Sequence, residues 1–242
     1  MKGLQIFTHS LRQVLGNLEA AFRVSGLLYL AQVALSVIFD LSILQDQKAM
    51  QAAMLDGTFP WAKVSLVTLV SLITSLWIAV GWHRYVLMVE QPGIVPVFRG
   101  GLILNYFGKT LLVGLIVMVV AVVLGLVAAV TPLAFALVAV IIVSLLLANR
   151  LSVVLPGSAL GKPLSISEGL AVTKGETWTI LALTIITLVF FTVIELPSIY
   201  VFGSFPLLQF LWRLATGWLF LMVSISIMTT LYGHYVEKRP LL

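Results

Sequence analysis

The feature that most constrains this chain is an unbroken stretch of 40 residues without a charged side chain, between Lys109 and Arg150. About 20 apolar residues are enough to cross the roughly 30 Å hydrocarbon core of a bilayer. The stretch is therefore long enough for two transmembrane helices. Pro132 divides it, because proline cannot continue a helix but is favoured in the first turn of the next one. We predict two consecutive spans, over residues 107–130 and 133–156.

The composition of the whole chain agrees with a membrane protein. The sequence is 61% hydrophobic and 10% charged, whereas soluble domains have about 25% charged residues. A water-soluble globule of this size could not bury so much apolar surface, and the apolar runs are too long for the roughly 10-residue strands of a membrane β-barrel. The uncharged runs give four further spans, over residues 24–44, 62–88, 177–196 and 206–232. The predicted fold is an all-α polytopic membrane protein with six transmembrane helices in one domain, residues 1–242.

Two shorter segments are predicted to be interfacial amphipathic helices. Over residues 3–21, apolar side chains recur every three or four positions, which is the pattern of a one-sided helix. We expect it to lie in the membrane interface, and the alternative is a helix packed on the bundle. Between spans four and five, Ser165 and Glu168 fit a capping box, and Gly175 is placed to end that short helix. Residues 96–106 are expected to form its counterpart.

The distribution of lysine and arginine predicts the orientation. Cytoplasmic loops of membrane proteins carry an excess of these residues. With both termini in the cytoplasm, only three of the 14 basic residues lie outside, namely Lys48, Lys63 and Arg213. The net charge of +5 is explained by this bias and not by nucleic-acid binding. We therefore expect a multi-pass protein of the bacterial inner membrane with cytoplasmic N- and C-termini.

The residues at the inner ends of the spans are expected to contact membrane lipids. Long basic side chains extend from the apolar core to the headgroups, and anionic lipids attract them at the cytoplasmic face. The expected headgroup contacts are His83, Arg84, Arg99, Lys109, Arg150 and Lys174.

Three charged residues lie in or near the outer part of the apolar slab: Asp40, Glu195 and Arg213. A charge at the centre of a span costs about 2.5–3.5 kcal/mol on insertion scales, so such residues usually pair or line a wet path. We expect Arg213 to pair with Glu195, with Asp40 nearby. The group is either a structural ion pair or a relay for a substrate or protons.

The sequence gives little support to catalysis or metal binding. It contains no cysteine, no nucleophile elbow of the Gly-x-Ser-x-Gly type and no phosphate-binding glycine loop. His83, Glu90, His234 and Glu237 form a formal set of metal ligands. All four are expected at the water boundary, where no metal is needed to satisfy them. We therefore predict neither a metal site nor a cofactor, and no enzyme activity.

Four motifs carry a resemblance. They are WHRYV at 82–86, RLSVVLP at 150–156, GKPLSISEG at 161–169 and TKG at 173–175, just before Trp178. They resemble a large group of uncharacterised six-helix inner-membrane proteins of bacteria. The motif sequences are similar to those of alphaproteobacterial members. That group is similar to the membrane domain found ahead of some glycerophosphodiester phosphodiesterases. The soluble catalytic domain of those enzymes has no counterpart here, so the resemblance implies a fold and not an activity.

Two functions remain open from the sequence. The first is a non-enzymatic accessory or assembly subunit of a larger membrane complex, in contact with lipids and with other membrane proteins. The alternative is a small transporter or lipid-handling protein that uses the outer group of Asp40, Glu195 and Arg213.

Overall fold

A computed structural model describes residues 1–45, 47–130 and 135–241 of the chain. Helices make up 81% of it, and the described residues contain no strand. The described α-helices are α1 (Lys2–Leu15), α2 (Leu18–Ile38), α3 (Gln47–Leu55), α4 (Trp61–Met88), α5 (Gly100–Ala129), α6 (Ala136–Leu151), α7 (Leu155–Ala159), α8 (Ile166–Val172), α9 (Thr177–Tyr200) and α10 (Pro206–Tyr235). Short 3-10 helices cover Leu41–Gln45 and Ser152–Val154.

Among the described residues, six helical segments are long and apolar enough to cross a membrane, which confirms the predicted all-α polytopic class. They are α2, α4, α5, α9, α10 and the segment Ala136–Ala159, in which α6, a 3-10 turn and α7 follow one another. The division of the long apolar stretch at Thr131-Pro132 lies outside the described residues, as does the start of the predicted fourth span.

The first 45 residues differ most from the prediction. The segment 3–21 is not one helix, because the chain breaks at Gly16 and Asn17, two residues of low helix propensity, and α2 begins at Leu18. The first span therefore starts earlier than residue 24 and ends earlier than residue 44. It stops at Ile38, and Asp40 follows with a left-handed φ of 47°.

Two loop predictions are corrected as well. Residues 100–106 belong to the first turns of α5 and do not form a separate interfacial helix over 96–106. The capping box of α8 is present, with the Ser165 side chain accepting from the backbone N–H of Glu168. However, α8 ends at Val172, and Gly175, at φ 83°, makes the turn that leads into α9.

The helix α1 packs on the bundle, as in the alternative considered above. Its buried residues are Gly3, Ile6, Phe7, Ser10 and Val14, which share one helix face. This face lies against α9 and α10. The position of Gly3 shows how close the contact is, since an added Cβ would lie 2.6 Å from the backbone oxygen of Thr179.

The helix α10 lies at the centre of the molecule. Within its apolar window 56% of the residues are buried, compared with 6–28% in the other five spans. It contacts α1, α2, α4, α7 and α9. Gly217 lies directly against the hydroxyl of Tyr29 on α2, where an added Cβ would be 2.5 Å from that oxygen.

Both termini lie at the same end of the bundle. Lys2 Nζ is 2.6 Å from Glu176 Oε1, just before α9, and 5.8 Å from the centre of the Tyr235 ring at the end of α10. We call this region the basic end and define it as residues 1–23, 84–109, 150–177 and 232–241. It carries 11 of the 14 lysine and arginine residues.

Candidate functional site

A row of hydroxyl groups follows one face of α10 into the bundle. Ser226, Thr229 and Thr230 are buried, and we call these three residues the α10 polar stripe. Each one bonds to a different side chain. The three bonds are from Trp82 Nε1 to Ser226 Oγ (2.7 Å), between His83 Nδ1 and Thr229 Oγ1 (2.8 Å), and from Ser10 Oγ to Thr230 Oγ1 (2.9 Å).

His83 is the most enclosed ionisable residue of this network, with no exposed surface. The Thr229 hydroxyl donates to the backbone oxygen of Ile225 at 2.8 Å, so it must accept the bond from His83 Nδ1–H. The other nitrogen, Nε2, lies 3.1 Å from the hydroxyl of Tyr106 on α5. In a neutral ring that carries its proton on Nδ1, this nitrogen accepts from the hydroxyl. This assigns the neutral Nδ1–H tautomer, because one nitrogen donates and the other accepts.

The position of His83 corrects its expected role. A fully buried ring with both nitrogens bonded inside the protein has no atom left for a lipid phosphate. The imidazole instead joins α4, α5 and α10. Hydrogen bonds of this kind between membrane helices contribute about 0.6–2 kcal/mol each.

Arg84, the next residue, belongs to an ionic cluster at the basic end. Its Nε and Nη2 lie 2.7 and 2.6 Å from Glu90 Oε2, and Arg99 Nη2 lies 2.9 Å from Glu90 Oε1. Arg84 Nη1 also donates to the backbone oxygen of Ala159, at 3.3 Å. The carboxylate thus holds the start and the end of the loop 89–99 together, and Arg84 fastens this loop to α7.

The pKa of Glu90 reflects both burial and these two cations. Partial burial raises the pKa, but the hydrogen bonds and charges of Arg99 and Arg84 outweigh it and hold the pKa below its ordinary value. Val89, just before it, has a left-handed φ of 58°, an uncommon conformation for a β-branched residue. The ion pairs therefore stabilise a strained turn.

The other three expected headgroup contacts differ in exposure. Arg150 Nε donates to Thr173 Oγ1 at 3.1 Å, so this side chain joins α6 to the end of α8. Lys109 is partly buried. Its charge is close enough to Glu168 to contribute to the lowered pKa of that carboxyl, but the main cause of the lowering is hydrogen bonding by Ser165. Lys174 is exposed.

At the opposite end of the bundle, the structure brings two of the three predicted charged residues together. Arg213 Nε lies 4.0 Å from Glu195 Oε1 and 2.9 Å from Ser198 Oγ. Thr216 Oγ1 donates to Glu195 Oε2 at 3.5 Å. Asp40 is exposed and follows the end of α2.

The formal metal set is divided among separate partners. His83 and Glu90 are bound as described, His234 Nδ1 contacts the backbone oxygen of Arg239 at 3.1 Å, and Glu237 pairs with Arg239 at 2.7 Å. In the part of the chain that the structure describes, no three histidine or acidic residues are grouped to hold a metal ion.

The sequence analysis missed the α10 polar stripe and Tyr106. A signal was present, because Ser226, Thr229, Thr230 and Gly233 follow the three-and-four spacing of one helix face. Small polar residues at that spacing inside an apolar span are typical of a helix interface. Tyr106 carries no such signal, since its role depends on His83, 23 residues away in the sequence.

Comparisons with protein-family models, with curated proteins and with solved structures found no match to this chain. The resemblance to the six-helix bacterial group therefore stays a prediction. The contacts, burial and charges of the described residues are the basis of the functional proposals.

Proposed function

We propose that this protein is a non-enzymatic accessory or assembly subunit of a larger membrane complex. In this proposal, a transmembrane helix of a partner protein packs on residues 114–129, the distal half of α5. The supporting observation is the burial of α5. It has the highest mean hydropathy of the six spans, 3.2, but only 6% of its apolar window is buried within the chain.

Packing within the chain involves mainly the first half of α5. Its buried residues are Ile103, Tyr106 and Val113. From residue 114 to 129, every side chain is exposed or only partly buried. The distal half of α5 is thus a surface that other helices of this chain leave largely uncovered.

Two glycines favour a protein helix over lipid on this surface. An added Cβ at Gly114 or Gly125 would meet no atom of the described residues within 4 Å, so no contact among those residues requires glycine there. Eleven residues are three helical turns, so the two glycines share one face, together with Met118 and Ala129. Glycine inside a helix costs about 0.5–1 kcal/mol relative to alanine. In a membrane, small residues allow another helix to approach closely.

The test combines native mass spectrometry with site-specific crosslinking in the native membrane. A photoreactive residue at Met118, which shares the face of the two glycines and is 54% exposed, should crosslink to one partner protein. Native mass spectrometry should show the same partner at fixed stoichiometry. Leu69 on α4, 54% exposed, is the matched control and should crosslink to lipid.

The variants Gly114→Leu and Gly125→Leu should release this partner without unfolding the chain, because a Cβ at either position meets no atom of the described residues within 4 Å. The proposal is wrong if Met118 crosslinks only to lipid, or if the leucine variants keep the partner. Crosslinking to a second copy of this chain would show that the partner helix belongs to a homo-oligomer and not to a different protein.

The basic end supports the proposed location and orientation. Its excess of lysine and arginine favours a cytoplasmic position in the bacterial inner membrane, by the rule that orients most such proteins. Exposed cations there, such as Lys174 and the Arg23 side chain at 52% exposure, favour contact with anionic headgroups.

A second candidate function is transport or lipid handling. The observation that favours it is the pairing of Arg213 with Glu195 at the opposite end of the bundle, because charges near the apolar slab often line a solute path. An Arg213→Leu variant should then lose a solute or lipid that co-purifies with the wild type. A folded variant that retains the same bound molecule would exclude this role.

A further inference from the structure

A cavity of about 240 Å³ lies between α6, α9 and α10, inside the membrane-spanning region. Its polar lining consists of Asn149, Thr184, Thr187 and Ser224, and no charged residue lines it. Thr187 is ten residues beyond the start of α9, which corresponds to about 15 Å along the helix. The cavity is therefore deeper than the headgroups of one leaflet.

Only some of the polar side-chain groups in the cavity wall have a hydrogen-bond partner. Asn149 Nδ2 donates to Thr184 Oγ1 at 2.9 Å, and the Thr184 hydroxyl donates to the backbone oxygen of Ile180 at 2.8 Å. In contrast, Thr187 Oγ1 is buried and has no hydrogen-bond partner among the described residues. A polar group without a partner costs several kcal/mol in hydrocarbon. Rotation of the Thr187 side chain about χ1 toward the cavity would allow its enclosed hydroxyl to donate to a bound molecule, which would therefore be favoured.

The cavity is bordered by side chains that reach the outer surface of the bundle. Leu145 on α6 and Leu188 on α9 both line it, and both are more than one third exposed. A molecule can therefore enter sideways from the hydrocarbon phase, with its apolar part remaining outside. The absence of charge in the lining disfavours a phospholipid headgroup, whose phosphate would be buried without a cation.

We propose that this cavity binds the hydroxyl head of a neutral lipid, of the diacylglycerol or long-chain alcohol type. A hydroxyl group both donates and accepts. It can accept from Ser224, or from Thr187 once that side chain has rotated toward the cavity, and it can donate to the amide oxygen of Asn149. The chains then lie between Leu145 and Leu188. The cavity involves no residue of α5, so this inference does not depend on the proposed partner surface.

The experiment uses the full chain in lipid nanodiscs with three photoactivatable probes: a diacylglycerol, a long-chain isoprenoid alcohol and phosphatidylglycerol. The two hydroxyl probes distinguish the possible sources of the head. At least one of them should label residues of α6 or α9 at the cavity, and the phosphatidylglycerol probe should label these residues more weakly.

The variant Thr187→Val keeps the shape of the side chain and removes the hydroxyl. It should reduce labelling about two- to tenfold, the equivalent of one hydrogen bond. Without lipid probe, the same variant should be more stable than the wild type, because an unpaired buried hydroxyl is gone. These two opposite effects separate lipid binding from a purely structural change.

Thr110→Val is the matched control. Thr110 Oγ1, on α5, is also buried without a hydrogen-bond partner among the described residues, but it does not line the cavity. This variant should gain stability and keep full labelling. Unchanged labelling of Thr187→Val, or equal labelling by phosphatidylglycerol, would overturn the proposal.

Discussion

At the scale of single residues, the contacts of His83 determine its role in the structure. A histidine at the end of a span can reach water, bind a metal or pack in the core. Here both nitrogens bond to hydroxyls of other helices, Thr229 and Tyr106, and the ring has no exposed surface. Its neutral form satisfies both partners, so His83 acts as a fixed connection between three helices.

The hydrogen bond between His83 and Tyr106 can be measured with a double-mutant cycle. His83→Phe leaves two buried hydroxyls without this partner and should lower the free energy of unfolding by about 1–3 kcal/mol. Tyr106→Phe should cost less, because it leaves only the His83 Nε2 acceptor unpaired. Unfolding in mixed detergent micelles should give a coupling energy of about 0.6–2 kcal/mol. A coupling energy of zero would contradict the assigned bond.

Gly3 tests how closely α1 is packed on the bundle. An added Cβ would lie 2.6 Å from the Thr179 oxygen and 2.9 Å from the Leu183 nitrogen, which are backbone atoms that cannot rotate away. Gly3→Ala should therefore displace α1 from α9 and cost about 1–3 kcal/mol. Thermal unfolding and proteolysis of the N-terminus would measure this change.

Gly108→Ala is the control for Gly3→Ala. Gly108 lies inside α5 with nothing within 4 Å of an added Cβ, and alanine is favoured over glycine in a helix by up to about 1 kcal/mol. This variant should be as stable as the wild type or more stable. Equal losses in both variants would mean that the close contact of Gly3 does not matter.

At the scale of elements, the ends of the helices are held by contacts that are distant in the sequence. Arg239, near the C-terminus, donates to the backbone oxygens of Leu87 at 2.6 Å and Val86 at 3.3 Å. These carbonyls lie in the last turn of α4, where a helix has no partners of its own. The C-terminal residues thus cap α4, while Glu90 holds the loop that follows it.

The Glu90 cluster predicts a dependence on pH. Since the folded-state pKa of Glu90 lies below its ordinary value of 4.5, its ion pairs stabilise the folded loop fully above that value. This stabilisation is lost as the pH falls through the lowered pKa. Hydrogen exchange of the backbone amides in residues 91–98 should therefore become relatively faster, compared with α10, as the pH falls further and further below 4.5.

Glu90→Gln isolates this effect from other acidic groups. The pKa of Glu168 is lowered mainly by Ser165 and that of Glu176 mainly by Lys2, so both also respond to acid. The variant should show fast exchange in residues 91–98 at neutral pH, with little further change in acid. A wild-type profile in Glu90→Gln would show that the ion pairs do not hold the loop.

At the scale of the whole molecule, the six spans form a core around α10 and a much less covered pair, α5 and α6. The basic residues gather at one end, where α1, α8 and both termini meet. A membrane potential and anionic headgroups act on this asymmetry. We therefore expect the two ends of the bundle to face different compartments.

The absence of cysteine from the sequence allows a direct test of orientation. A single cysteine at Ser167, in α8 at the basic end, should react with a membrane-impermeant maleimide only after the cells are opened. A cysteine at Thr58, before α4 at the other end, should react in intact cells whose outer membrane is permeable. Both positions are exposed. The reverse pattern would place the termini outside.

Much of the architecture could be predicted because local properties determine it. The apolar run predicted as the second span placed the start of α4 within one residue of its observed position. The pattern Ser165-x-x-Glu168 correctly predicted the capping box of α8. The start of α2 was missed because Glu19 and Arg23 suggested a water-exposed segment. In the structure these two side chains pair with each other at 2.7 Å, on the outside of the helix.

The candidate sites were harder to predict, because the identity and sequence position of a polar residue do not reveal which distant residue it will contact in the fold. His83 and Thr229 are 146 residues apart in the sequence and 2.8 Å apart in space. The sequence alone determined that this protein is a helical membrane protein with six spans, because hydrophobic length and charge act locally. Only the tertiary structure decided which polar groups meet, which cavity they line and which half of α5 remains uncovered, because those depend on how distant helices pack.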